Sequence, residues 1–482
     1  MAVASPLQLA IFAAVLALIA AATAWQTRRL RGAHGGDARD AFLAGGSLTW
    51  VYVAGAITIT NLGTEQLVGM NGNQMLLLAW WELAGFAGLL MLALLFLPIY
   101  YRTRCTTTTE LLERRYGEAS IRTLISGLFM LGYVFLAMPS ALYTGALFLR
   151  TVFSLDVPLL ALAAGLALLG AGYGLLGGLR AVAVSETFAG VSLLVICVAI
   201  VVLGLGAIGW SFKGIPPDRL TLIGDAASPI PWPTLFTGMV FIQIFYWSTN
   251  QAITQKAMAS PSLREAQKGV LAAALIRLAI VPPIVVLPGI IAFKLYGVVH
   301  DAAFGRLVGD VLPPWLSGAF AAILATSVAA HFVAVLNSAA ALYVCDIHQK
   351  YVNANVAVPR LNLIVSVAFI AIAIAMVPVY ANAVSIINLL QQLNGLLSMP
   401  ILSAFIVGLL FRDVEARAAI AAVVFGVALY AVFSFAWAPF GLHYIHLMLV
   451  TLIATIGFAL LVNRLVFGRR ARFTGWRGLA AA

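Results

Sequence analysis

Apolar runs of about twenty residues recur from one end of this chain to the other, and no other feature restricts its fold so severely. A helix of that length crosses the hydrocarbon core of a bilayer with every backbone hydrogen bond satisfied internally. Thirteen such runs are read, near residues 5 to 26, 48 to 70, 76 to 101, 121 to 153, 157 to 176, 181 to 209, 232 to 254, 269 to 297, 316 to 347, 361 to 380, 384 to 411, 417 to 438 and 443 to 467. Only 9% of the side chains are charged, against about a quarter in soluble domains. The pattern predicts an all-α integral membrane protein.

The basic residues sort by loop. With the N-terminus outside, alternate loops place 22 of the 28 Lys and Arg residues at the inner surface, five at the outer one, and Arg277 within a run. This distribution predicts thirteen helices, N-out and C-in, in a bacterial-type inner (plasma) membrane. The net charge of +11 then reflects topology and anionic lipid, and predicts no nucleic-acid partner. Ala22-Thr23-Ala24 resembles a cleavage site, but Arg28, Arg29 and Arg31 follow the first run instead of preceding it, so a retained anchor is expected. Cys105, Cys197 and Cys345 are an odd number, and no disulfide framework is expected.

No polar stretch is long enough for a separate soluble domain. The expected division is an anchor helix and linker over 1–47, a group of five helices over 48–209, an outer loop over 210–231, a second group of five over 232–411, and two further helices with a basic tail over 412–482. Thr107 lies three residues before Glu110, a capping-box spacing that predicts a short helix at the inner surface. Two groups of five that enter from opposite sides are what an inverted repeat requires, with a site at the repeat interface. The first helix of the first group is interrupted by Asn61, Gly63, Thr64, Glu65 and Gln66 in "ITITNLGTEQLVGMNG". A membrane tolerates a broken helix only where it lines a cavity or is buried in protein.

Ionisable groups within the runs are expensive, and each is a candidate functional group: Glu65, Glu82, Glu186, Arg277 and His331. Glu82 in "LAWWELAG" and Arg277 in "LIRLAIVPP" have opposite charge and suit either a structural ion pair or a pair that also holds a hydroxylated solute. Gln243, Tyr246 and Trp247 in "FIQIFYWSTNQ" combine an amide with aromatic faces, and Gln391 and Gln392 are amides inside an apolar run. His443 and His446 share a helical face, but no carboxylate or cysteine nearby completes a metal site. No G-x-S-x-G, H-E-x-x-H or GxxxxGK[ST] pattern occurs, so neither a hydrolase nor an ATP-driven pump is expected, nor any cofactor.

The segments "TNLGTEQLVGMNG", "LLGGLRAVAVSETF", "YWSTNQAITQKAMASPSLREAQKG", "VVLPGIIA" and "LNSAAALYVCDI" occur in the order found in the sodium/solute symporters. The chain resembles that family over nearly its whole length, and within it the bacterial sodium/galactose type. The resemblance implies a LeuT-type core of two inverted five-helix repeats, moving a small hydroxylated solute, a monosaccharide or similar polyol, by alternating access. Carried over by motif, solute contacts fall on Asn61, Gln66, Glu82, Gln243, Arg277 and Gln391, with Tyr246 as the aromatic inner gate. Arg277 stands where the family has lysine, and Gly85 where it has serine.

The family's sodium is held by backbone carbonyls of the broken helix, here near Ile59 and Leu62, and of the helix bearing "LNS", with two adjacent hydroxyls on the latter. Counting back from Asn337-Ser338, those hydroxyl positions fall on Ala330 and His331. Sodium is a hard cation that prefers oxygen, and neither side chain offers one. Ser327, with Thr326 beside it, lies on the same helical face and suits a shifted site. Otherwise His331 carries a proton in place of sodium, coupled to Glu65 or Glu186, or is a neutral imidazole bonded to a backbone carbonyl in a carrier that needs no ion. A solute sensor and a passive channel are the rival classes.

Overall fold

The computed structural model describes residues 5–30, 49–60, 62–105, 107–437 and 441–475; within these, the side chains of 23–24, 26–30, 59–60, 173–189, 191, 252 and 345 are not described. The fold is an all-helical bundle. Its elements are α1 (Pro6–Leu30), α2 (Trp50–Thr60), α3 (Thr64–Gly72), α4 (Leu76–Thr103), α5 (Thr108–Tyr116), α6 (Ala119–Val152) and α7 (Leu159–Ala207). They continue with α8 (Gly238–Ser248), α9 (Gln251–Met258), α10 (Leu263–Tyr296), α11 (Ala303–Val311), α12 (Pro314–Tyr351), α13 (Val358–Ala381), α14 (Ile386–Leu410), α15 (Ala416–Ala436) and α16 (Tyr444–Leu465). Two short strands, β1 (Phe411–Arg412) and β2 (Arg472–Phe473), pair antiparallel beyond the ends of α14 and α16.

Among the described residues, eight helices are long and apolar enough to cross a membrane, and four shorter apolar helices accompany them. Their outer faces suit lipid. Helix α13 turns Leu363, Ile364 and Val367 outward and buries Ala373, Val377 and Tyr380 against its neighbours.

The run from 48 to 70 breaks where its polar residues predict, between Thr60 and Thr64. The run from 232 to 254, read as one helix, is corrected by the structure: it breaks at Thr249 and Asn250. At the break Tyr100 Oη donates to the freed Ser248 O at 2.8 Å, and Thr249 Oγ1 adds a second donor, at 2.7 Å, to Phe245 O, which keeps its bond from Thr249 N. The two runs read at 157 to 176 and 181 to 209 fall within one helical element, α7, in which no proline interrupts the hydrogen-bond ladder. Thr107 caps α5 as its spacing predicts, its Oγ1 accepting from Glu110 N at 3.1 Å.

Two joints position the broken helix. Pro288, inside α10, cannot donate to Ile284 O. Asn71 of α3 repairs that gap: its Nδ2 donates to Ile284 O at 3.4 Å and to Leu67 O at 2.8 Å, while its Oδ1 accepts from Gly289 N at 2.7 Å. The helices touch so closely that a Cβ on Gly289 would lie 2.2 Å from Asn71 O. At the far end of α3, Gly72 packs on Asp301 and Gly69 on Ile386 and Ile387, which closes that end of the bundle. On α12 the gradient runs the other way. Phe320 and Leu324 are buried, Ser327, His331 and Ala334 half-buried, and Ser338 exposed, all on one helical face that opens toward the arginine-rich end.

Candidate functional site

Glu82 lies near the start of α4 and Arg277 deep in α10, each only 2% exposed. An isolated charge at that depth would cost several kcal/mol or more, so each requires the other and a set of hydrogen bonds. The Arg277 guanidinium donates through Nη2 to Glu82 Oε2 and through Nη1 to Thr58 O at 2.9 Å. Thr58 lies in the last turn of α2, where the approaching break leaves carbonyls without helical partners. Across the break, Gln66 of α3 donates from Nε2 to Glu82 Oε1. One carboxylate and one guanidinium therefore bridge both sides of the broken helix.

The second broken helix supplies the wall. The Trp247 indole stacks under Arg277, with Cζ 4.6 Å from the ring centroid. Trp247 Nε1 donates to Gln243 Oε1 at 3.0 Å, and Gln243 Nε2 to Trp81 O at 2.6 Å. Gly85 gives the indole its place: a Cβ there would lie 3.0 Å from Trp247 Nε1. The glycine, the tryptophan and the arginine are thus one packing unit. Tyr246 is half-buried and packs edge-on against Trp247, centroids 5.4 Å apart.

Two polar atoms in this region are buried without a partner among the described residues, the Gln66 Oε1 acceptor and the Trp81 Nε1 donor. Each such orphan costs about 1–3 kcal/mol until a water or a ligand completes it. Of the residues singled out in the sequence, the structure brings together Gln66, Glu82, Gln243, Tyr246 and Arg277. Gln391 is half-buried on α14 and its Oε1 accepts from Asn394 Nδ2 at 3.2 Å, within its own helix. Asn61 lies outside the described residues, as do the side chains of Ile59 and Glu186. The contributions of Thr58 O, Trp81 and the second break carry no sequence signal beyond the polar triplet Ser248-Thr249-Asn250.

At the ion-site positions, Leu62 and Ala330 are buried with apolar side chains, and Thr326 Oγ1 is spent on Ala322 O at 2.8 Å. Ser327 and His331 are half-buried on the open face of α12. Among the described residues His331 makes no hydrogen bond, so the backbone-bonded imidazole allowed by the sequence is not found there. No group of three or more His, Cys, Asp or Glu side chains that could hold a metal occurs among the described residues.

A buried ion pair packed beside two broken helices is an arrangement suited to a membrane carrier. The sequence profile of the Sodium:solute symporter family matches residues 41–426. Relatives include the uncharacterized symporter YidK of Escherichia coli, 34% identical with 92% of this chain and 81% of the relative covered. The sodium/glucose cotransporter of Vibrio parahaemolyticus is 30% identical over 92% of this chain and 88% of its own. Sodium/myo-inositol cotransporter 2 of Mus musculus is 25% identical over 88% and 69%. Among solved structures, a substrate-bound, outward-open Na+-coupled sialic acid symporter superposes with a TM-score of 0.76 at 16% identity, covering 96% of this chain and 98% of that one. A nucleobase-cation-symport-1 family transporter in a closed conformation gives 0.56 at 15% identity, over 88% and 94%. The chain belongs to the sodium:solute symporter family. It is a multi-pass membrane protein with the LeuT fold and a secondary active symporter, not an enzyme.

Proposed function

We propose that this symporter moves a small hydroxylated solute, a monosaccharide or inositol-like polyol, by alternating access across a bacterial inner membrane. The single observation that carries this reading is the Glu82 carboxylate, held by Arg277 and Gln66 at the break, with an unpaired acceptor on Gln66 beside it. A hydroxyl suits that position because it donates to Gln66 Oε1 and accepts in return, and the faces of Trp247 and Tyr246 suit the apolar face of a sugar ring. Gln243, Arg277 and Gln391 would complete the contacts, with Asn61 on the broken helix. The names of the glucose and inositol cotransporters among the relatives favour the same solute class.

The topology that goes with it is thirteen crossings, N-out and C-in, which requires the chain to reverse direction within α7, with repeats over 48–209 and 232–411 flanked by the anchor over 1–47, the loop over 210–231 and the two helices with their tail over 412–482. The distribution of arginines supports it, and the open face of α12 then looks toward the cytoplasm.

Family membership favours sodium as the driving ion, at backbone carbonyls near Ile59 and Leu62 with Ser327 as substitute hydroxyl. A second reading has its own support: Ala330 and His331 replace the two hydroxyls, and His331 faces the open side without a partner among the described residues. On that reading a proton, or no ion, replaces sodium. Uptake of labelled monosaccharides and inositol into proteoliposomes separates the cases, with a sodium gradient, a proton gradient or neither, in the wild type, His331→Ala and His331→Ser. Sodium-driven accumulation supports the first. Proton-driven accumulation lost in His331→Ala supports the second, and equal equilibration in all conditions marks an ion-independent carrier. Glu82→Gln should abolish saturable uptake; retention of full uptake would overturn the site.

A further inference from the structure

The arginine-rich end holds a cluster that solute transport does not use. Arg412 of β1 and Arg472 of β2 are register partners, so their side chains leave the same face of a two-stranded ribbon side by side. Like charges directly opposite each other oppose strand pairing, and a ribbon this short is marginal by itself. It forms nonetheless, fastened by Thr474 N donating to Leu410 O at 2.9 Å and by Asn463, whose Nδ2 donates to Asp413 O at 2.9 Å and Arg469 O at 3.0 Å. Arg115, from the end of α5, reaches the same place: its Nε donates to Gly408 O and its Nη2 to Phe411 O at 3.3 Å. A cleft of about 180 Å³ opens between Arg115, Tyr116, Arg412 and Asp413. Burial, together with the neighbouring charge of Arg412, lowers the Arg115 pKa. Arg115, Arg412 and Asp413 thus line one cleft, and Arg472 stands opposite Arg412 on the ribbon beside it.

Arg114, Arg122, Arg417 and Arg469, also at this end, have carboxylate partners within 4 Å. Arg115 and Arg412 meet as like charges at a polar cleft. On the other face of the ribbon Phe411 and Phe473 meet edge-on, centroids 5.4 Å apart, with Phe473 69% exposed, as suits aromatics at a membrane surface.

We propose that Arg115, Arg412 and Arg472 form a binding site for a phosphate-bearing anion, which locks the β1–β2 strap onto the end of α14. Guanidinium groups match phosphate oxygens in pairs, and one phosphate beside Arg412 relieves its repulsion with Arg115 on one side and with Arg472 on the other. The phosphate comes either from an anionic phospholipid of the adjoining leaflet or from solution, and the experiment separates the two sources.

The full-length protein is reconstituted in nanodiscs of phosphatidylcholine alone or with phosphatidylglycerol, and its melting temperature and retained lipid are measured. In parallel, inorganic phosphate is titrated onto the protein in the phosphatidylcholine discs. Phosphatidylglycerol should raise the melting temperature and remain bound, and Arg412→Gln/Arg472→Gln should weaken that retention by about tenfold for each lost charged hydrogen bond. Arg114→Gln, which removes one positive charge nearby, should not. A rise produced by inorganic phosphate and lost in the double variant assigns the site to the soluble anion. If neither phosphate source stabilises the wild type, or if the double variant responds as the wild type does, the proposal is overturned. The readout is binding and stability, so it stands apart from which solute or ion is carried.

Discussion

At the scale of single residues, Glu82 and Arg277 illustrate how a buried pair is held. Each is affordable in the interior only because the other is present, and removing one leaves a stranded charge worth about 3–5 kcal/mol. Arg277→Met or Glu82→Leu alone should therefore lower thermal stability by that order, whereas the double variant should recover most of the loss and still fail to transport. A single variant that melts with the wild type would show that the pair contributes specificity without stability. Both residues are legible in the sequence as charges inside apolar runs. Their partners are not. Thr58 O becomes an acceptor only because α2 stops there, and Gly85 is explained only once the Trp247 indole is seen in the space a side chain would fill.

Between elements, the joints carry the argument. Asn71 supplies two hydrogen bonds across to α10, to Ile284 O and from Gly289 N, where Pro288 interrupts the ladder. Asn71→Leu strands Ile284 O and Gly289 N, and should destabilise the protein by about 1–3 kcal/mol for each group left unpaired. A melting temperature unchanged by that substitution would mean water repairs the joint.

Asp301, just before α11, is a second joint. It lies against Gly72 of α3, accepts from Ile386 N at the start of α14 at 3.3 Å, and neighbours Tyr143 of α6. Burial pushes its carboxyl up to about 7, more than the hydrogen bonds from Ile386 and Tyr143 pull it down. The packed state therefore binds the proton more tightly than the open chain, where the group titrates near 4. Stability from this residue is complete below about pH 4 and is lost as pH rises toward 7. The wild type should melt at lower temperature at pH 8 than at pH 5, and Asp301→Asn should flatten that dependence. An equal slope in the variant would assign the pH effect to another group.

At the scale of the whole molecule, α3 packs tightly on Asp301 and Ile386 at one end, while exposure along one face of α12 rises toward Ser338 at the other. Cys105 and Cys197 are buried, so in a Cys345→Ala background a cysteine at position 338 should react with a membrane-impermeant thiol reagent applied from the arginine-rich side, and one at position 74 from neither side. Reaction at 74 and protection at 338 would mean that the resting protein opens at the other end.

The sequence by itself determined the solvent. Twenty-residue apolar periods, rare charges and one-sided arginines permit a membrane helix bundle and little else, and the polar interruption at residues 61–66 marks the first break. Local chemistry was legible wherever it depends on neighbours in the chain, as at the Thr107 cap of α5. The tertiary structure decided what depends on contacts between distant residues: the second break at Thr249 and Asn250, the Asn71 bridge to Pro288, the place of Asp301 and the meeting of Arg115 with the β1–β2 ribbon. Hydrophobic periodicity records only how much of each helix avoids water. It does not record which buried polar group completes which carbonyl, because that is fixed by packing between helices as much as 293 residues apart.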